Sequence, residues 1–166
     1  MITLTKAVFL GVLALASVSA SMAQTPKVRR VYVFGEDAES EPMVSAVKAK
    51  IGGTLRYQLE DGNRAELWIG ILCFKTTIGD RVAGHACTVT YSYWPEDLRG
   101  TSLWLSTSLH VGPANGTQSA EGIFEDFVNL TSDSDLEKKR TQAISRIRFA
   151  CLDHKKDEVA LACLGL

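Results

Sequence analysis

Along residues 28–59 the apolar positions change their period from two to nearly four and back to two. Val28 to Phe34 is a β-branched and aromatic run closed by Gly35 and an acidic stretch, which predicts a strand. Val44, Val47 and Ile51 then recur at helical spacing behind Ser40, Glu41 and Pro42, a start signal, and Gly52-Gly53 supplies the stop. From Thr54 to Leu59 strict alternation returns, with Leu55, Tyr57 and Leu59 on one side and Arg56 and Gln58 on the other.

Three further strands follow: Ala65 to Phe74, His85 to Trp94, and Thr101 to Val111, with turns at Glu60–Asn63, around Gly79-Asp80, and over Pro95–Gly100. In the last strand Leu103, Leu105, Leu109 and Val111 share one side by parity. The final third turns helical. Ser119 caps a segment with an apolar stripe of Ile123, Phe124, Phe127 and Val128. Ser134 and Glu137 form a capping box for a longer helix striped by Leu136, Ala143, Ile144, Ile147, Ala150 and Cys151. The pattern therefore predicts one α+β domain: strand, helix, a four-strand antiparallel meander, and a C-terminal helical pair, with the helices on one sheet face. In layout this order resembles small periplasmic α+β domains of bacterial envelope assembly proteins, and the resemblance brings no functional residue with it.

Residues 1–23 do not fit that domain. Lys6, the apolar run Ala7–Val18 and the small-residue site Ser21-Met22-Ala23 make an export signal cleaved before Gln24, with Ala20 as an alternative site. The run is too short to span a bilayer, and no later run approaches the length of about 20 apolar residues that a span needs. The expectation is a protein with no transmembrane anchor, periplasmic or extracellular, whose domain is residues 24–166. Of the chain's 18 basic and 19 acidic side chains the signal removes one Lys. The near-neutral remainder disfavours a nucleic-acid partner and a polybasic membrane surface.

Export places the four cysteines in an oxidising compartment. Four cysteines allow three connectivities, and local spacing favours Cys73 with Cys87 and Cys151 with Cys163. The metal reading of His85-x-Cys87 and Cys151-x-x-His154 is weaker, because neither forms a paired Cys-x-x-Cys knuckle. No metal and no cofactor is expected.

The same disulfide sets a register. Opposing Cys73 with Cys87 pairs Ile71 with Val89, Ile69 with Tyr91 and Leu67 with Tyr93, all on one apolar face. The preceding hairpin agrees if Leu59 opposes Ala65, and the following one if Tyr93 opposes Leu103 and Tyr91 opposes Leu105. The other face then carries Arg56, Trp68, Ser92 and Trp104 in one row, surrounded by Gln58, Glu66, Thr88, Thr90, Trp94, Ser106 and Ser108, with His110 at its edge. Two Trp rings flanking a Ser beside an Arg can form a platform for a glycan, a peptide or an aromatic ligand. Cross-strand Trp and Arg pairs also stabilise sheets without binding anything.

Motifs of high catalytic specificity are missing from the sequence: no G-x-S-x-G, H-E-x-x-H, phosphate loop or dinucleotide fingerprint occurs after residue 23. Ser106, Ser108 and His110 share a strand side, but positions two apart are separated by about 7 Å along a strand. Glu121 and Glu125 have the spacing of a solvated helix face. Asn115-Gly-Thr117 and Asn129-Leu-Thr131 are glycosylation sequons only in a eukaryotic source. The reading is a non-catalytic binding module that takes an envelope or extracellular protein, or a glycan, on Arg56, Trp68, Ser92 and Trp104. The alternatives are a small secreted hydrolase using His110 and an inhibitor or immunity-type partner of another exported protein.

Overall fold

A computed structural model describes residues 27–98, 101–113 and 117–153. The elements are β1 (Arg29–Gly35), α1 (Glu41–Gly52), β2 (Tyr57–Leu59), β3 (Leu67–Ile78), β4 (Arg81–Tyr93), β5 (Leu103–Pro113), α2 (Thr117–Leu130) and α3 (Asp133–Asp153). They form an α+β fold on a single mixed sheet of order β2-β1-β3-β4-β5. Among the described residues no helix is long and apolar enough to cross a membrane. The export segment 1–23, Asn115 and the partner Cys163 lie outside the described residues.

The central hairpin follows the disulfide register. Leu67 pairs with Tyr93, Ile69 with Tyr91, Ile71 with Val89 and Cys73 with Cys87, and Gly79, at φ 60°, turns the chain between β3 and β4. Alternation then places every odd-numbered side chain from Leu67 to Cys73 and from Cys87 to Tyr93 in the core. Cys73 and Cys87 are disulfide-bonded with their Cα atoms 4.0 Å apart.

The first half of the predicted meander is replaced by a crossover. β2 has three residues, and it pairs in parallel with β1 rather than antiparallel with β3. β1 lies between them and runs parallel to both. The cause is α1: a helix between two strands of one sheet returns the chain in the direction of the first strand, so β1-α1-β2 is a parallel unit. Leu59 accordingly does not oppose Ala65, and Leu55 stands in solvent at 97% exposure.

The helices cover one face. Met43, Val44, Val47 and Ile51 of α1, and Ala120, Ile123 and Phe127 of α2, pack with Val31, Val33, Ile69, Val89 and Tyr91. Phe127 sits between Tyr57 and Tyr91, with ring centroids 4.8 and 6.5 Å away. Among the described side chains of the predicted α3 stripe, Leu136 reaches the core, while Ala143, Ile144 and Ile147 are half-buried. The side chains of Ala150 and Cys151 lie outside the described set.

Of the three predicted caps, Ser40 keeps its place and the other two are displaced. Ser40 occupies the position before α1, but its hydroxyl donates to Asp37 Oδ1 and accepts the Cys73 N–H, tying the helix start to β3. Ser119 lies inside α2, with Oγ 3.3 Å from His85 Nε2. The cap of α3 is Ser132, whose Oγ accepts the Asp135 N–H, two residues before the predicted Ser134.

Across β4 and β5 the register shifts between Tyr91 and Ser92. Tyr93 opposes Leu103 and Ser92 opposes Trp104, but Tyr91 opposes Ser106 and not Leu105. One extra residue in β5 is a β-bulge, and it exchanges the faces of everything beyond it.

Candidate functional site

Trp68, Ser92 and Trp104 occupy directly opposed positions on three adjacent strands, β3, β4 and β5. With strands about 4.8 Å apart, the two indoles stand on Cα atoms roughly 10 Å from each other. Their face is the one the helices leave open. Trp104 is 65% exposed, and its Nε1–H donates to Thr107 Oγ1 at 3.2 Å. Trp68 is half-buried, and its Nε1–H donates to Ala65 O at 3.3 Å.

Arg56 is not in this row. Because β1 intervenes, the position beside Trp68 belongs to Tyr32. Arg56 Nη2 donates to Thr131 O at 2.8 Å, and its guanidinium lies 5.5 Å from the Tyr57 ring centre. It joins β2 to the end of α2.

An aromatic cluster takes the place of Arg56. Tyr32 and Phe34 stack at 5.4 Å, both meet Trp68 edge to face at 5.3 and 5.9 Å, and Trp94 leans on Trp68 at 5.2 Å. Gly70 admits the Phe34 ring, since a Cβ there would lie 2.9 Å from Phe34 Cζ. Sequence reasoning passed over Tyr32 and Phe34, although the alternation of Val31 and Val33 with them was the available signal. A cleft of about 530 Å³ adjoins the cluster, walled by Arg30, Arg64, Glu66, Trp68, Trp94 and Glu96.

Other residues assigned to the polar face belong elsewhere. Glu66 is buried at the end of the sheet, where Oε2 accepts from Arg29 Nη1 at 3.2 Å; Arg29 also donates to Asp133 at 2.6 Å. The Arg29 hydrogen bond is the largest cause holding the Asp133 carboxyl below its ordinary value. Ser108 and His110 turn to the helix face because of the bulge. Leu109 and Val111 replace them on the open face, at 67% and 68% exposure. Phe74, half-exposed on β3, completes an apolar strip there.

The surroundings of His110 bear on the hydrolase alternative. Ser108 Oγ lies 2.8 Å and Asp126 Oδ2 3.2 Å from His110 Nε2, closer than the strand rise suggests, because the side chains lean along the strand. Both partners meet the same ring nitrogen. A nucleophile relay needs the carboxylate on the opposite nitrogen from the serine, and His110 Nδ1 instead packs against Gly122, where a Cβ would lie 3.1 Å away. Ser108 Oγ is also 3.3 Å from Tyr91 Oη, whose phenol hydrogen-bonds Ile123 O. This is a polar bridge between β5 and α2. The metal reading of His85-x-Cys87 loses its thiolate to the disulfide.

No protein-family model and no curated protein matches the chain. Among solved structures, a hypothetical protein, CT253 from Chlamydia trachomatis, is similar at a TM-score of 0.35 and 10% identity, over 51% of this chain and 72% of that one. A minor lipoprotein from Acinetobacter baumannii is similar at a TM-score of 0.28 and 13% identity, over 71% of this chain and 94% of that one. Likenesses of that size carry no conclusion about function.

Proposed function

We propose that the protein is an exported, non-catalytic binding module of one domain, residues 24–166, that docks another envelope or extracellular protein on its open sheet face. The observation that carries this reading is the row Trp68–Ser92–Trp104 on the face that α1 and α2 leave uncovered, continued by Leu109, Val111 and Phe74. Exposed apolar side chains gathered on one uncovered face mark interaction sites, and Trp is among the side chains most enriched in residues that dominate binding energy. The centre of that face, Thr88, Thr90 and Ser92 on β4, is small and polar. Export is supported by the Cys73–Cys87 bridge, which persists in oxidising compartments, and by the signal pattern of residues 1–23.

The test is co-purification of the tagged chain from its own envelope fraction beside Trp104→Ala and Leu109→Asp, with binding of the captured protein then measured in purified form. A single stoichiometric partner whose affinity drops at least about tenfold in both variants supports the reading. Retention by both folded variants overturns it, as does binding of soluble envelope glycans in place of any protein.

A further inference from the structure

The far edge of the sheet has its own recognition chemistry. Trp94 N–H donates to Glu66 O at 2.7 Å, which makes Glu66–Trp94 a hydrogen-bonded pair of the β3–β4 ladder. Such pairs alternate, so Trp68–Ser92 and Gly70–Thr90 are hydrogen-bonded too, and the backbones of Tyr91 and Tyr93 turn toward β5. The 4.0 Å Cα separation of Cys73 and Cys87 agrees, since narrow pairs are the ones without ladder bonds. Trp104 opposes Ser92 and Thr107 opposes Thr90, so their N–H and C=O groups point away from β4; Leu109 and Val111 follow by alternation. Among the described residues no strand pairs with that side of β5, so these four residues form a row of outward donors and acceptors.

Beside the first part of that edge runs α3. Between them lies a groove of about 520 Å³ lined by Leu103, Trp104, Lys139, Ala143, Arg146 and Ile147 among others. Apolar Leu103, Trp104, Ala143 and Ile147 share the lining with Thr101, Ser102 and Gln142, and both of its ionic side chains are cations. Lys139 Nζ donates to Leu105 O at 3.0 Å, which holds helix and strand together at the bulge. A strand edge facing a helix across a groove is the geometry in which extended peptides add to a sheet: main-chain bonds give affinity, and alternate side chains enter the groove.

We propose that the groove between β5 and α3 takes an extended acidic segment of another protein, which adds to β5 as a sixth strand and turns alternate carboxylates toward Lys139 and Arg146. The site shares Trp104, Leu109 and Val111 with the open face but uses the backbone edge of β5 and the groove beside it, so the proposal stands without a partner on that face.

The probe is a fluorescein-labelled eight-residue peptide alternating Glu and Val, compared by fluorescence anisotropy with its Lys-for-Glu counterpart on the oxidised full chain. The Glu peptide should bind and the Lys peptide should not. Charge reversal in K139E/R146E should weaken binding about tenfold or more. Leu109→Pro removes an outward N–H and no ladder bond, so circular dichroism should be native while binding falls about fivefold. Trp68→Ala, which disables the open face, should leave peptide binding unchanged. Equal affinity for the two peptides, or affinity untouched by both edge variants, overturns the proposal. So does a dimer in sedimentation that Leu109→Pro dissociates, because a second copy then occupies the edge.

Discussion

Leu105 and Leu109, four residues apart on one strand, lie on opposite faces of the sheet. An even spacing keeps two side chains on one face unless a residue is inserted between them. Leu105 is that insertion: Ser92 still opposes Trp104, and Tyr91 already opposes Ser106. Leu105 is buried, whereas Leu109 stands in solvent. The bulge thereby turns Ser108 and His110 inward to bridge Tyr91 and Asp126, and it moves two aliphatic side chains to the face that carries Trp104.

The two leucines should therefore respond differently to truncation. Leu105→Ala removes buried methyl groups and leaves a cavity, at a cost of about 2–4 kcal/mol. Leu109→Ala should change stability by no more than about 0.5 kcal/mol. Urea denaturation of both variants measures the difference, and equal costs would place both leucines on one face without a bulge.

That asymmetry marks what could be read from the chain. Cys73 and Cys87 were enough to align β3 with β4, because one covalent pair fixes the register and the alternating Leu, Ile, Val and Tyr residues allow only one face inward. The strand neighbours of β1 were not legible. Alternation at Leu55, Tyr57 and Leu59 states which side chains share a side, not which strand lies beside them, and the crossover through α1 decided that. The same misplacement put Arg56 in the Trp row where Tyr32 stands. The bulge left no mark in β5 itself, since Leu103, Leu105, Leu109 and Val111 keep perfect parity while the backbone changes face. Trp68, Ser92 and Trp104 were aligned correctly because the shift lies between Ser92 and Tyr91 and leaves the Ser92–Trp104 pair on the side of the predicted Tyr93–Leu103 register.

The Cys73–Cys87 bridge closes a loop of 14 positions within a hairpin. Chain entropy assigns such a loop about 3 kcal/mol. Replacing both cysteines by Ala should lower the melting temperature by on the order of 10 °C, read by circular dichroism. Dithiothreitol should destabilise the wild type by a similar amount. Any further fall when dithiothreitol is added to the double variant reports a second bridge, the one expected between Cys151 and Cys163.

Acid should loosen the join between β1 and α3. The Arg29 hydrogen bond depresses the Asp133 carboxyl, so the unfolded chain takes up that proton at a higher pH than the folded one. The stabilisation is fully present above the ordinary Asp value of about 3.9 and is lost as pH falls through the lower folded value. Urea midpoints should drop below pH 4, and Asp133→Asn should reduce that slope. An unchanged slope would assign the acid sensitivity to other carboxylates, such as Asp97 beside Arg140.

Alkali should act on Tyr91. Burial beneath α2 is the largest cause pushing its phenol up to about 12, against a smaller opposing effect of the Ser108 hydrogen bond. A raised folded-state value means that the neutral phenol is favoured by folding. Its contribution is complete below the unfolded value of about 10 and disappears as pH rises through the folded one. Ultraviolet titration at 295 nm should show one tyrosine ionising only as the fold opens, and stability should decline from about pH 10 upward. Tyr91→Phe keeps the ring against Phe127, removes the hydrogen bonds to Ser108 and Ile123, and should flatten the alkaline decline at the cost of about 1–2 kcal/mol at neutral pH. If the variant loses stability with pH as steeply as the wild type, Tyr91 is not the group that titrates.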